Sequence, residues 1–142
     1  MIRLDRKSHT AILHHAESEY PFEACGLLLG RRLQDWLFIS EVVPSPNFAD
    51  KPLHNFEIDP GLRLRIQKAS RKGNNGIIGH YHTHPDAEAA PSPTDRSRIY
   101  ETDLIWIIGS VYDGRFSDLA AFAPSAQGGG FDEVPLDWKR ES

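Results

Sequence analysis

Apolar residues recur near helical spacing at Ile12, Leu13, Ala16 and Tyr20, and Pro21 closes the pattern. A first helix is therefore predicted, capped by Asp5 or Ser8 and ending just before Glu23. Cys25-Gly-Leu-Leu-Leu-Gly30 is a short apolar run bounded by glycine, and Trp36 to Val43 is rich in aromatic and branched side chains. These read as an antiparallel strand pair with its turn near Arg31 to Asp35. Pro44 to Pro52 reads as a loop and Phe56-Glu57-Ile58 as a short strand. Asp59-Pro60 supplies an N-cap and a first-turn proline for a second helix, whose face is marked by Leu62, Ile66 and Ala69 and which stops before Gly73. Gly76 to His84 is a strand, Asp86 to Pro91 a loop, Ser92 to Glu101 a third helix, and Leu104 to Val111 a strongly apolar buried strand. Arg115 to Phe122 is a further strand. Gly128 to Gly130 then forms a flexible link to a tail, Phe131 to Trp138, that is either an edge strand or loose. There is no internal repeat. Helices interleaved with adjacent strands predict an α/β or α+β sheet with helices packed over it.

At 142 residues the chain falls within the usual size of one domain. A catalytic domain over 1–123 with a link and tail over 124–142 is expected. Hydrophobic residues at 39% and charged residues at 25% are ordinary for a globular protein, so disordered and fibrous classes are excluded. Sixteen basic against twenty acidic side chains give a net charge of -4, with no Lys/Arg cluster beyond Arg31-Arg32, which disfavours nucleic acid as a partner. The apolar run around Leu104 to Ile108 is far shorter than the roughly 20 residues that span a bilayer, so no membrane partner is expected. The first fifteen residues mix charge and histidine and lack the core of a signal peptide. The single cysteine, Cys25, forms no internal disulfide framework, so a cytoplasmic location is expected.

In Gly79-His-Tyr-His-Thr-His84 three histidines alternate, which on a strand places His80, His82 and His84 on one face and Tyr81 and Thr83 on the other. Neighbours on that face are about 6.6 Å apart along the strand, close enough for two imidazoles to converge on one ion. Spacing alone permits His80 with His82 or His82 with His84. A catalytic zinc site commonly takes three protein ligands and leaves the fourth position to water, so a third donor is needed. Asp95 is the best local candidate, sitting in the first turn of the third helix where an anion also meets the helix's positive end. Each piece has a plainer reading. Ser92-Pro93-Thr94-Asp95 is by itself a sound capping box, and alternating strand histidines are more often solvated or structural than metallic. Only the combination points to a metal. A thiol protease built on Cys25 is the weaker alternative, since a cysteine in an apolar glycine-bounded run is commonly buried and inert.

His82-Thr-His-Pro85, then six residues, then Ser92-Pro-Thr-Asp95 resembles the motif of the JAMM/MPN metalloprotease family. Pro21-Phe-Glu23-Ala-Cys-Gly26-Leu-Leu-Leu-Gly30 resembles the segment that presents that family's catalytic glutamate. Asn47 and Phe56-Glu57-Ile58-Asp59-Pro60 resemble its short bacterial branch. The likeness runs from about Ile2 to Phe122. It implies an α/β fold with a curved, mostly antiparallel mixed sheet flanked by helices, in cytidine-deaminase-like layering. It also implies one zinc ion per chain on His82, His84 and Asp95, Glu23 as the catalytic acid/base, and Ser92 helping to hold the oxyanion. His80 is then a neighbour and not a ligand. Thr83 stands where serine is more frequent, with little consequence expected.

The same resemblance implies a zinc-dependent peptidase or isopeptidase acting after the C-terminal Gly-Gly of a ubiquitin-like or sulfur-carrier protein. An extended glycine tail suits a narrow groove against a sheet. A phage-tail or cell-wall peptidase, and a metal-free MPN scaffold that binds partners, are the competing readings; the scaffold is disfavoured because all four key positions carry the chemistry. A structural zinc site usually closes all four positions, commonly with cysteines, and only one cysteine is present.

Overall fold

The computed structural model describes residues 1–70, 75–126 and 129–138. In chain order the elements are β1 (Ile2–Leu4), α1 (Arg6–Glu19), β2 (Cys25–Leu33), β3 (Trp36–Ser45), α2 (Pro60–Ser70), β4 (Gly76–Pro85), α3 (Pro93–Ser97), β5 (Ile105–Tyr112), β6 (Arg115–Pro124), β7 (Phe131–Val134) and β8 (Leu136–Trp138). The eight strands form one mixed sheet in the order β7-β6-β5-β4-β2-β3-β1-β8. Its β2–β3, β2–β4, β5–β6 and β6–β7 pairs are antiparallel, while β4–β5, β1–β3 and β1–β8 are parallel. This is the mixed α/β sheet expected from the resemblance. No helix among the described residues is long and apolar enough to cross a membrane.

α1 starts where Asp5, in extended conformation, accepts a hydrogen bond from the Ser8 N–H at 2.8 Å, and it ends at Tyr20 because Pro21 cannot continue it. Its buried Ile12 and Ala16 lie against one face of the sheet, where Ile2, Leu4, Leu28, Ile39, Tyr81, Ile105 and Ile107 build the larger core. Tyr81 is fully buried there, its hydroxyl 2.7 Å from His15 Nδ1 on α1. Gly26, beside it on β2, leaves room for that ring: an added Cβ would stand 2.6 Å from Tyr81 Cζ and Oη. Because the hydroxyl contact holds the ring in place, Gly26→Ala is expected to destabilise the protein by about 1–3 kcal/mol, read as a lowered denaturant midpoint. An unchanged midpoint would show that the ring can yield.

Several expectations change against the structure. β1 was not anticipated, being three residues long. Phe56-Glu57-Ile58 is not a strand; only an isolated bridge between Asn47 and Ile58 forms there. The third helix is five residues rather than ten. It stops because Arg98 turns out of helical geometry while its N–H still bonds the Asp95 carbonyl, and Ile99 leaves the helix to pack against Trp106 and Phe122 in the second core cluster. The tail supplies β7 and β8, which take the two opposite edges of the sheet. The expected stop at Gly73 and the first residue of the Gly128–Gly130 link lie outside the described residues.

Candidate metal centre

β4 is an interior strand, paired by β2 from Gly76 to His82 and by β5 from Gly79 to Pro85, with His82 opposite Cys25 on one side and Ile108 on the other. Its alternation puts His80, His82 and His84 on the face away from α1 and Tyr81 and Thr83 towards the main core. His82 is 0% exposed and His84 8%. Asp95 reaches them from α3. Ser92 accepts the Asp95 N–H at 3.0 Å and the Asp95 carboxylate accepts the Ser92 N–H at 3.0 Å, a complete capping box with Pro93 in the first turn. The plain helix-start reading and the ligand reading are thus both realised: the capping geometry is what aims the carboxylate.

Nε2 of His82 and Nε2 of His84 are 3.2 Å apart and lie 3.1 and 3.2 Å from Asp95 Oδ2. Among the described residues these three form the one cluster of potential metal donors. A tetrahedral zinc with bonds of about 2.0 Å would space its ligands about 3.3 Å apart, so the donors fit one zinc without rearrangement. His84 Nδ1 donates to the Glu88 carbonyl at 3.0 Å, which leaves Nε2 as the lone-pair atom facing the cluster. The His82 ring is held by Phe56, stacked on it at 4.2 Å, and its buried Nδ1 has no hydrogen-bond partner. Burial opposes charge on Asp95, but the two imidazoles and the Ser92 N–H hold its carboxyl far below the usual range. Burial pushes His82 down; for His84 the contacts with Asp95 and the Glu88 carbonyl outweigh burial and raise it.

Glu23 immediately precedes β2 and is 5% exposed. Burial pushes its carboxyl up to about 8, with His84 and Arg98 opposing the rise and Asp95 adding to it. Its backbone is held from two sides: the N–H donates to the Pro52 carbonyl at 2.8 Å, and its carbonyl accepts Asn47 Nδ2 at 3.0 Å. Asn47 also donates to the Asn55 carbonyl and accepts the N–H groups of Ala49 and Glu57, so one side chain organises the whole 47–57 loop around Glu23. Tyr20, at the end of α1, donates to Asp86 just beyond the ligand strand at 2.6 Å.

Thr83 was not recognised in the sequence as part of this framework. Lying between the two ligand histidines and fully buried, it accepts the Ala24 N–H on its hydroxyl at 2.8 Å and donates its own N–H to the Ala24 carbonyl at 3.0 Å. The residue next to Glu23 is thereby fixed to the residue between the ligands. The hydroxyl that threonine shares with serine is the part used. Thr83→Val keeps the shape and strands a buried N–H, so a loss of about 1–3 kcal/mol in denaturant stability is expected, with a smaller loss in Thr83→Ser. Equal losses in the two variants would contradict the role of the hydroxyl.

His80 is not in the donor cluster; its ring lies against Trp106 at 4.5 Å, and burial pushes it down to about 3. Cys25 is buried with its thiol pushed up to about 12, so almost no thiolate forms at neutral pH.

Two imidazoles and a carboxylate converging on one point, held on a mixed sheet beside a buried glutamate, define a metalloprotease of the JAMM class. The chain belongs to the family described as prokaryotic homologs of the JAB domain, whose model matches residues 5–122. It is 31% identical over 120 residues to a desampylase of Haloferax volcanii, covering 82% of this chain and 84% of that protein. It is 29% identical over 112 residues to a CysO-cysteine peptidase of Mycobacterium bovis, covering 79% and 75%. The solution structure of a protein from Desulfitobacterium hafniense is similar at a TM-score of 0.85 and 32% identity, covering 99% of this chain and 94% of that one.

Proposed function

We propose that this chain is a zinc-dependent peptidase or isopeptidase that hydrolyses the amide bond after the C-terminal Gly-Gly of a ubiquitin-like or sulfur-carrier protein. The observation that carries the reading is the convergence of His82, His84 and Asp95 to 3.1–3.2 Å beside the buried Glu23. The names of the desampylase and CysO-cysteine peptidase relatives support the substrate class. His82, His84 and Asp95 hold one zinc. Zinc, when bound, supplies Lewis acidity, which polarises a carbonyl and lowers the pKa of water towards ~7. Glu23 takes the proton of the attacking water and returns it to the departing amine, so one carboxylate serves both steps. Its burial favours this exchange, because a carboxylate drawn out of water holds a proton more readily than a solvated one. The Ser92 oxygen accepts the Asp95 N–H, which leaves its own hydrogen free to donate to the oxyanion. The catalytic unit is proposed to span 1–123, with β7 and β8 of the tail closing the sheet edges. We place the reaction in the cytoplasm, since a lone buried thiol calls for no oxidising compartment.

The test is a panel of sulfur-carrier and ubiquitin-like proteins extended beyond Gly-Gly, followed by mass with and without chelator after zinc has been measured by elemental analysis. One equivalent of zinc and chelator-sensitive loss of the extension are expected. Zinc-loaded protein that cleaves none of the panel would overturn the substrate class.

A further inference from the structure

We infer that Arg98 is a clamp for a free α-carboxylate on the leaving residue, so that the group released is a single amino acid and not the lysine side chain of a folded protein. This deepens the proposed function and rests on it. Arg98 is the C-cap of α3, three residues beyond Asp95, and its N–H bonds the Asp95 carbonyl at 3.0 Å. Its backbone therefore moves with the metal donors. Its side chain turns towards the loop before α2, where Nη1 donates to the Phe56 carbonyl at 3.0 Å. Phe56 is the residue whose ring is stacked on His82. Arg98 is thus tied at its backbone to Asp95 and at Nη1 to the Phe56 carbonyl, and its charge is felt by Glu23.

What the protein does not supply is an anion. Arg98 is half-buried, and among the described residues no carboxylate lies within ion-pair distance of it. The Phe56 carbonyl occupies one of its five N–H groups. Arg63, in the wall of the same cavity, is satisfied by Glu101 through contacts of 2.6 and 2.8 Å, so that acid is already engaged. Glu57 also borders the cavity, but it is exposed and forms no ion pair among the described residues. The remaining N–H groups of this half-buried guanidinium form a planar fork of donors, and such a fork matches a carboxylate best.

The cavity that Arg98 helps to line has a volume of about 510 Å³ and is walled by Phe56, His80, Tyr100, Leu104 and Trp106. That is room for any one side chain, so it admits the leaving residue without selecting it. Selection falls to the main-chain carboxylate. In an extended chain one residue advances ~3.3 Å, so only the first residue after the cleaved bond carries its carboxylate close to the scissile amide. A longer extension presents a neutral amide there, and an isopeptide-linked lysine presents only the methylene groups of its side chain.

The experiment takes the most rapidly cleaved carrier of the panel and extends it by one alanine after Gly-Gly, once with a free C terminus and once as the C-terminal amide. Zinc-loaded wild type is expected to cleave the acid at least about tenfold faster in kcat/KM, the effect of one charge-assisted hydrogen bond. Arg98→Gln, which removes the charge and the fork of donors, should bring the acid-to-amide ratio close to one, and Arg98→Lys should restore part of it. Because both substrates meet the same enzyme, any effect of Arg98 on Glu23 or on folding cancels in the ratio. Equal rates on both substrates in wild type, or an undiminished ratio in Arg98→Gln, overturns the clamp. Failure of the peptidase reading looks different: neither substrate is turned over in a chelator-sensitive way.

Discussion

Glu23→Gln is expected to bind a full equivalent of zinc, lose turnover by about 10²–10⁴-fold, and be more stable than wild type in metal-free protein above neutral pH. Glutamine keeps the shape but cannot take up the proton of the attacking water, whereas the three donor atoms do not involve Glu23. The stability arises from burial. The carboxyl is 5% exposed and its folded value is pushed up to about 8, above the ordinary 4.5 that it regains on unfolding. A group raised in this way favours the fold fully below pH 4.5, where both states carry the proton. That contribution is lost as pH rises through about 8, because the folded protein must then ionise a buried carboxyl. At pH 9 the metal-free wild type therefore carries a penalty on the order of a few kcal/mol that glutamine removes. Denaturant midpoints of the two metal-free proteins at pH 5 and pH 9 should nearly coincide at the first and separate at the second. Retained hydrolysis in Glu23→Gln would sink its assignment as acid/base, and equal midpoints at pH 9 would sink the account of its burial.

Asp95 has two duties, and two substitutions separate them. Asp95→Asn retains a carbonyl oxygen that can accept the Ser92 N–H, so α3 stays capped, but it brings no negative charge to the metal. Asp95→Ala loses both, including about 1 kcal/mol from the cap. Both variants are expected to bind zinc at least about 100-fold more weakly and to fall to background turnover, since even outer partners of a metal site commonly contribute 10–100-fold. Zinc at 1,000 times its Kd should stabilise wild type by about 4 kcal/mol, and the rise in Tm should vanish in both variants. Without zinc, Asp95→Asn should melt below metal-free wild type, because it loses the ionised carboxylate that the two imidazoles favour, and Asp95→Ala should melt lower still. A wild-type zinc response in Asp95→Asn would remove Asp95 from the ligand set.

The legible part of this protein is the part written in local chemistry. The cap at Asp5, the proline stop at Tyr20-Pro21 and the Asp59-Pro60 start of α2 are short-range signals, and each appears where the residues place it. Period-two alternation put three histidines on one face of β4 and Tyr81 and Thr83 on the other. Where local signals are weak, the reading misplaced elements. The Ser92-Pro93 start of α3 was plain, but its end was not, because the helix is terminated by tertiary partners: Phe56 for Arg98, the Trp106 cluster for Ile99 and Arg63 for Glu101. β1 is too short to carry a period, and β8 forms only by lying beside it.

By itself, then, the sequence determined the ligand types, their strand and helix, the buried thiol as a bystander and the family. Spacing along the strand left His80 and His84 equal as partners of His82, and the family resemblance favoured His84; the tertiary structure brings His84 and Asp95 together with His82 because of the direction from which Asp95 arrives. The fixing of Glu23 through Asn47 and Thr83, and the placing of the Arg98 guanidinium on the Phe56 carbonyl, also belonged to the tertiary structure. These depend on residues 24, 59 and 42 positions apart in the chain. Hydrogen bonds across such separations leave no periodic trace, since they are set by how the sheet brings its loops together and not by any neighbour in sequence.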